Sequence, residues 1–260
     1  MSRSHHVQGT ADTDVLEPVG RGVQGDVFGT QRWVVKIRRF SILGLLARWV
    51  SNWRCLVEVK ESLGGLAAPF LVLDEVAFRA PKMGGRGRIV ALRRRRAVAR
   101  ERYVVDAFLD HQLSIAEPPR ALALVEEMVV LVERVRARGF YMHDFIMRNF
   151  VLVDGRLLIA DTGLITPMRS FWEPAVRLCA RGFSKGLSKD YQRLLAEVRD
   201  EVREDPALCE QITAFTDALP ERLGRLRSRS VAGLESEPAA PVSFDPELEK
   251  EIRQVLQPVR

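Results

Sequence analysis

Residues 141–163, YMHDFIMRNFVLVDGRLLIADTG, concentrate the side chains most able to do chemistry. Asp144, Arg148 and Asn149 precede a short apolar run, and Asp161 follows a second one. Carboxylate and amide oxygens are hard ligands of the kind that bind Mg²⁺ beside phosphate groups. If the intervening chain folds back on itself, the amide and the carboxylates face one small volume.

The two apolar runs predict such a fold. Residues 150–153 and 157–160 are joined by Asp154-Gly155, and Asp-Gly between apolar runs is the strongest short-range signal for a β-hairpin. The hairpin returns the chain to its start, so the loop with Asp144 and Asn149 faces the end that leads into Asp161. A polar hairpin on an ordinary surface would scatter these residues without fixed spacing.

A second motif lies near the start of the chain, where residues 20–27 read GRGVQGDV. Glycines lack a Cβ, so backbone amides can approach phosphate oxygens closely. In a dinucleotide-binding fold such a loop must open a helix, whereas residues 26–37 predict strand, turn and strand, with Lys36 on the second strand. The glycines of this loop are Gly20, Gly22 and Gly25.

Hydrophobic periodicity places the elements that must position these groups. An amphipathic helix is predicted over 41–63, ending at Gly64-Gly65, and two strands over 68–79 and 87–92. A long helix beginning at Pro118-Pro119 and ending before Gly139 delivers the chain to the loop with Asp144. Further helices are predicted over 206–227 and 246–256, joined by a linker, 228–243; the last helix either packs back or stays mobile.

Length and composition limit the classes of protein to which the chain can belong. The chain has 260 residues, of which 47% are hydrophobic, so it can bury a core of one large domain or two lobes. Three separated cysteines propose neither a disulfide framework nor a zinc site. The sequence has no run of eighteen apolar residues and no signal-peptide core, so we expect a cytoplasmic protein, soluble or peripherally attached.

The net charge of +6 predicts an anionic partner. Arginines cluster at 93–96, where they form either a solvated helix face or a set of bidentate contacts to phosphate or carboxylate groups. A nucleic-acid-binding module would rest on this cluster alone, so we disfavour it.

The stretch around Asp144 resembles the catalytic and metal-binding loops of the protein-kinase-like superfamily. The match is D-x-x-x-R-N, ending at Asn149, followed by D-x-G beginning at Asp161. The resemblance implies that Asp144 orients and deprotonates the acceptor hydroxyl, that Asn149 and Asp161 hold Mg²⁺, and that Arg148 offsets phosphate charge. Two departures from the family pattern are His143 directly before Asp144, and Thr162 in place of the Phe of D-F-G.

The upstream motifs fit the same resemblance. The loop at 20–27 matches the family's G-x-G-x-x-G-x-V, and Lys36 in WVVKI takes the place of the V-A-I-K lysine that contacts the ATP phosphates. An acidic residue on the next helix would hold this lysine, with Glu58 as first choice and Glu61 as second. The adenine site would lie near 90–94.

The resemblance implies a two-lobed α+β protein-kinase-like fold. A mobile tail, 1–14, precedes a small antiparallel sheet lobe, 15–92, and a larger helical lobe, 93–227. The linker and C-terminal helix occupy 228–260.

The implied activity is transfer of the ATP γ-phosphoryl group to a hydroxyl, with Mg²⁺. Residues after Asp161 have no A-P-E motif and no long Ser/Thr-rich activation segment, the platform that protein kinases keep for peptides. We therefore expect an anionic sugar or glycolipid acceptor, since the chain also resembles lipopolysaccharide core (heptose or Kdo) kinases. Basic residues at 93–96 and 177–189 would bind anionic headgroups at the inner membrane face. A pseudokinase that binds nucleotide or a protein partner without turnover, and a protein Ser/Thr kinase, stay open as alternatives.

Overall fold

The structure is a computed structural model that describes residues 16–21, 25–38, 53–80, 91–142, 146–162, 165–167, 195–200, 202–228 and 243–256. In these ranges the chain is a mixed α+β protein, with a small antiparallel sheet followed mainly by helices. Two predicted site residues, Gly22 and Asp144, lie outside the described residues. The same holds for 1–14, 41–52 and 177–189.

The sheet has five strands in the order β1-β2-β3-β5-β4, with every neighbouring pair antiparallel. The prediction of strand, turn and strand over 26–37 is confirmed. The strands are β1 Glu17–Arg21, β2 Gly25–Gly29, β3 Trp33–Arg38, β4 Phe70–Ala80 and β5 Ala91–Glu101.

Strand β5 corrects two expectations. The sequence placed a strand at 87–92 and gave a solvated helix face as one of two interpretations of the arginines at 93–96, whereas those arginines lie within β5. The physical reason is the alternation that follows them, because Ala97 and Ala99 are buried in one core of the sheet while Val98 between them packs on the other side. The sheet thus continues past residue 92, where the sequence placed the end of the small lobe.

The described parts of the long helices match their predictions. Helix α1, Trp53–Leu63, ends where Gly64-Gly65 predicted. A short helix α2, Leu109–Ile115, precedes α3, Pro118–Ala137, and Gly139 follows α3 with φ +82°. The predicted inner face of α3 is buried at Leu124, Met128, Leu131, Val132 and Val135.

In the described residues, four short strands follow α3. The predicted hairpin is confirmed as β7 Phe150–Val153 and β8 Arg156–Ile159. A pair that the sequence did not predict, β6 Phe140–Met142 and β9 Ile165–Pro167, brackets the hairpin. Residues 195–200 are helical, and two helices complete the described chain: α4 Pro206–Ser228 and α5 Pro246–Val255.

Two large apolar cores lie on the two sides of the sheet. One joins α1, α3, α4 and the hairpin. The other covers the opposite face of the sheet, where α5 supplies Leu248 and Ile252, followed by Leu256. The C-terminal helix therefore packs back on the sheet, which decides between the two alternatives left open by the sequence. Among the described residues, no helix is both long and apolar enough to span a bilayer.

Candidate functional site

The hairpin brings Asn149 next to Asp161. Asp154 and Gly155 both have positive φ, +50° and +75°, the backbone of the tight two-residue turn that suits strand twist. Beyond the paired strands, the Ala160 amide donates to the Asn149 carbonyl at 2.7 Å. Asn149 is buried and Asp161 follows Ala160 directly, so the two predicted metal ligands leave adjacent backbone positions.

Lys36 forms an ion pair with Asp161, a residue distant from it along the chain. The Lys36 Nζ donates to the Asp161 Oδ2 at 2.7 Å, although 125 residues separate the two. Both side chains are about one-third exposed, at 27% and 33%, and water screens such pairs so that they contribute little stability. The contact therefore matters for position, because it ties strand β3 to the end of the hairpin.

Arg100 is a site residue that sequence reasoning missed. Its guanidinium donates to the carbonyl of Ala160, directly before Asp161. In the sheet register Val34 pairs with Arg100 and Lys36 pairs with Val98, so both basic side chains rise from the same face. The alternation of Ala97 and Ala99 with larger residues was the available signal, and the neighbouring arginine run obscured it.

The connection after α1 is bound to the hairpin as well. The Ala68 amide donates to the Ile159 carbonyl at 2.9 Å. Arg138 donates to the Leu63 carbonyl at 2.5 Å and Arg156 to the Gly65 carbonyl at 3.4 Å. Positive groups at the C-terminal end of a helix suit its dipole, so the end of α1 has a fixed place beside the hairpin.

The described ion pair of Lys36 is with Asp161, while Glu58 was predicted as its partner. Glu58 on α1 is half-buried, whereas Glu61, the second choice, is exposed. Half-burial suits an inward-facing carboxylate better than full exposure does. The pairing of Glu58 with Lys36 stays a prediction.

Arg148 lies on the short turn before β7 and is 82% exposed. Its Nε donates to the Asp110 Oδ2 on α2 at 2.9 Å. The predicted role of Arg148 in offsetting phosphate charge would require the guanidinium to exchange this carboxylate for a phosphate. That role stays a prediction.

The described part of the glycine loop flanks the site at the sheet edge. Gly20 pairs with Val27 after an irregularity in the β1 register, and Gly25 begins β2. A Cβ built at Gly20 would meet no atom within 4 Å. Packing within the protein therefore does not require a glycine at this position. Close approach of a ligand to the backbone would require one for a different reason.

Tyr103 lies just past β5 and packs against a small apolar cluster that includes Ala160, the residue before Asp161. Burial, together with the charge of Glu101, raises the pKa of Tyr103 to about 12. Its ring packs edge-on against Phe108, and its hydroxyl is buried without a hydrogen-bond partner. Its hydroxyl thus stays protonated at any physiological pH.

The donor set fits Mg²⁺ shared with a phosphate. Among the described residues no group of three or more His, Cys, Asp or Glu side chains could enclose a metal ion. Asn149 and Asp161 offer one amide and one carboxylate, and Mg²⁺ commonly binds through one or two protein ligands, phosphate oxygens and water. The residues present therefore suit a metal that arrives with a nucleotide.

Comparison with protein-family models gives no match. Comparison with curated proteins gives no match either. Among solved structures, the chain is similar to the Legionella pneumophila LegK7 effector kinase at 13% sequence identity, with a TM-score of 0.29. That likeness covers 52% of this chain and 28% of the LegK7 chain, and at this level it assigns neither activity nor substrate.

Proposed function

We propose that this protein is an ATP- and Mg²⁺-dependent phosphotransferase of the protein-kinase-like kind, with a hydroxyl as acceptor. The single observation behind the proposal is the 2.7 Å contact between Lys36 and Asp161. Each residue was selected from a different motif, one for phosphate contact and one for metal binding. An ATP triphosphate with its metal requires both groups in one place.

The order of elements supports the same proposal. A hairpin with a glycine loop and the strand of Lys36 are followed by α1, two more strands, the long α3 and the hairpin with Asn149. This is the order that the resemblance implies for a two-lobed kinase-like fold. Lys36 pairs with Val98, which lies beyond 90–94 along β5, so we no longer place the proposed adenine site at 90–94.

In the proposed mechanism the sheet positions ATP and the hairpin positions the metal. Lys36 would leave Asp161 to contact the α- and β-phosphates, and Gly20, Gly22 and Gly25 would allow backbone amides to approach the phosphate oxygens. Asn149 and Asp161 would hold Mg²⁺, which supplies positive charge at the phosphate oxygens.

The acceptor side of the mechanism belongs to two residues of the loop before β7. Asp144 orients the acceptor hydroxyl and takes its proton as the bond to the γ-phosphorus forms and the bond to ADP breaks. Arg148 offsets the charge of the transferred group. Most of the rate enhancement then comes from positioning and charge.

We propose an anionic sugar or glycolipid as the acceptor, at the cytoplasmic face of the inner membrane. The supporting observations are the missing A-P-E motif and the excess of basic residues in the sequence. Each basic residue near an anionic surface contributes about 1 kcal/mol. Anionic vesicles should therefore co-sediment the protein at low salt and release it as salt rises, and absence of low-salt binding would contradict the membrane-linked acceptor.

The first test is metal-dependent nucleotide binding. ATP with Mg²⁺ at about 100 times Kd should raise the Tm of the wild-type protein by roughly 5–10 °C. Asp161→Asn removes the metal-binding charge and should lose most of this shift. Asp154→Asn is the matched control, because Asp154 is an exposed carboxylate in the turn of the same hairpin. Equal shifts in both variants would remove Asp161 from the site.

The second test separates an enzyme from a pseudokinase. Asp144→Asn should keep the ATP-dependent shift but lower turnover by about 10²- to 10⁴-fold, the range for a general base. Binding without phosphorylation of any sugar, glycolipid or peptide acceptor would favour the pseudokinase. Phosphorylation of peptides in preference to sugars would favour a protein Ser/Thr kinase.

A further inference from the structure

Between described residues, the contacts that hold the two-residue segment Ala160-Asp161 include three hydrogen bonds. The Ala160 amide donates to the Asn149 carbonyl at 2.7 Å, and the Asp161 carboxylate accepts from Lys36 at 2.7 Å. The third contact is the donation from the Arg100 guanidinium to the Ala160 carbonyl. Each contact engages a different group, so together they restrain both sides of the peptide unit that leads into Asp161.

Arg100 lies on a strand that is paired with a neighbouring strand on each side. Its strand has partners on both sides there, since Arg100 pairs with Val34 of β3 and with Phe70 of β4. The neighbouring Ala99 is fully buried, and Phe70 is buried as well. A guanidinium on a central strand is a more precise anchor than one on a loop.

The Lys36 and Arg100 contacts differ in what happens when a nucleotide arrives. Lys36 must give up Asp161 if it is to contact phosphate, so the carboxylate loses this partner when it must bind the metal. Arg100 donates to the backbone carbonyl of Ala160, so this contact can persist when Lys36 binds phosphate and Asp161 binds the metal.

We propose that Arg100 is a positioning residue that keeps Asp161 in place for the metal after Lys36 has moved to the phosphates. This inference rests on the proposed function for the identity of the metal and nucleotide. It adds a residue that acts on the metal ligand through the preceding peptide. Partners that orient a ligand in this way typically change metal affinity by about 10- to 100-fold when removed.

The test compares Arg100→Met with Arg102→Met. Arg102 also donates from its guanidinium to a backbone carbonyl, that of Thr30 at 2.7 Å, but at the β2–β3 turn. The first readout is amide hydrogen exchange of the ligand-free proteins. Arg100→Met should speed exchange at 160–162 by about tenfold or more, since a local restraint is lost, and Arg102→Met should leave these amides unchanged.

The second readout is the Mg²⁺ concentration that gives half of the ATP-dependent thermal shift. Arg100→Met should raise it by about 10- to 100-fold, and Arg102→Met should not. A general packing role would lower the Tm of the ligand-free protein without moving this midpoint.

The outcomes separate the two proposals. Unchanged exchange at 160–162 in Arg100→Met, or an unchanged Mg²⁺ midpoint, overturns the positioning role while the wild-type response to ATP and Mg²⁺ stands. A wild-type protein that shows no such response overturns the proposed function. In that case the exchange comparison alone decides whether Arg100 fixes the segment.

Discussion

The face of the five-stranded sheet beneath α5 is apolar, whereas the opposite face combines apolar packing with the charged site. On one face, Val35 and Ile37 are buried beneath α5. On the other face, Lys36 between them reaches the carboxylate of Asp161. Successive residues of a strand point to opposite sides, so one short segment of β3 serves both a core and a charged site.

The difference indicates a division of labour. The apolar face removes large side chains from water, with Trp33 and Phe28 fully buried, and this burial is the main source of stability. The charged site on the opposite face keeps its ion pair partly exposed, where the pair adds little stability. Variants on the apolar face should therefore change the free energy of unfolding, and variants at the charged site should change turnover.

The largest effect should come from Ile252→Asp in α5. Ile252 is fully buried against the sheet, so the variant loses apolar burial and places a carboxylate in a core. We expect loss of the α5 contact or of the fold. Ile252→Ala gives the measurable version, with about 2–5 kcal/mol lost in urea unfolding.

The control for Ile252 lies two residues further along the same helix. Gln254 is exposed, so Gln254→Asp should stay within about 0.5 kcal/mol of wild type. If Ile252→Ala unfolds at the same urea concentration as Gln254→Asp, α5 does not stabilise the sheet and the contrast between the faces fails.

Lys36→Met should give the next largest effect, and on turnover. Removing one preorganised donor that stabilises developing negative charge in a transition state costs about 10²- to 10³-fold in kcat. The unfolding free energy should change by about 1 kcal/mol or less, because the pair with Asp161 is partly exposed. The measurements are phosphoryl transfer and urea unfolding on the same preparations.

Lys250→Met is the matched control for Lys36→Met. Lys250 is an exposed lysine on α5, on the far side of the sheet from the site, so its loss should leave turnover and stability near wild type. A large loss of stability without a loss of turnover in Lys36→Met would reverse the assignment of the two faces.

The part of the site that local signals define was predictable from the sequence. Asp-Gly predicted the hairpin, so Asn149 and Asp161 were placed together. The residues around Lys36 predicted its strand. Strand β5 was misplaced because its arginines suggested a solvated helix, and Arg100 was missed with it. Strands β6 and β9 have three residues each and pair across the hairpin, which leaves too short a pattern to detect.

Helix α5 shows what sequence periodicity alone does not predict. The pattern over 246–256 predicted an apolar stripe, but periodicity does not say which surface the stripe covers. That surface is set by contacts between residues very distant along the chain, such as Trp33 and Glu251, which are 218 residues apart. Non-local pairing of this kind has no signature within a single window of sequence.

The smallest expected effect is that of Glu251→Gln, which tests the polar edge of the apolar face. Glu251 accepts from the indole Nε1 of Trp33 at 2.7 Å and from Arg32 Nη1 at 2.6 Å. A buried indole N–H needs an acceptor, and the amide oxygen of Gln still offers one. The variant therefore loses charge rather than the Trp33 hydrogen bond, and the Arg32 partner is 57% exposed. We expect a loss of about 1 kcal/mol in urea unfolding.

The matched control is Glu249→Gln on the same helix. Glu249 pairs with Arg253 one turn away at 2.7 Å, and such exposed pairs contribute about 0.3–0.5 kcal/mol. Glu251→Gln should therefore cost more than Glu249→Gln, and neither should alter the Mg²⁺ midpoint for ATP. If Glu251→Gln shifts that midpoint while Glu249→Gln does not, the helix on the apolar face communicates with the charged site through β3. The two faces would then be coupled, and the division between stability and function would not hold.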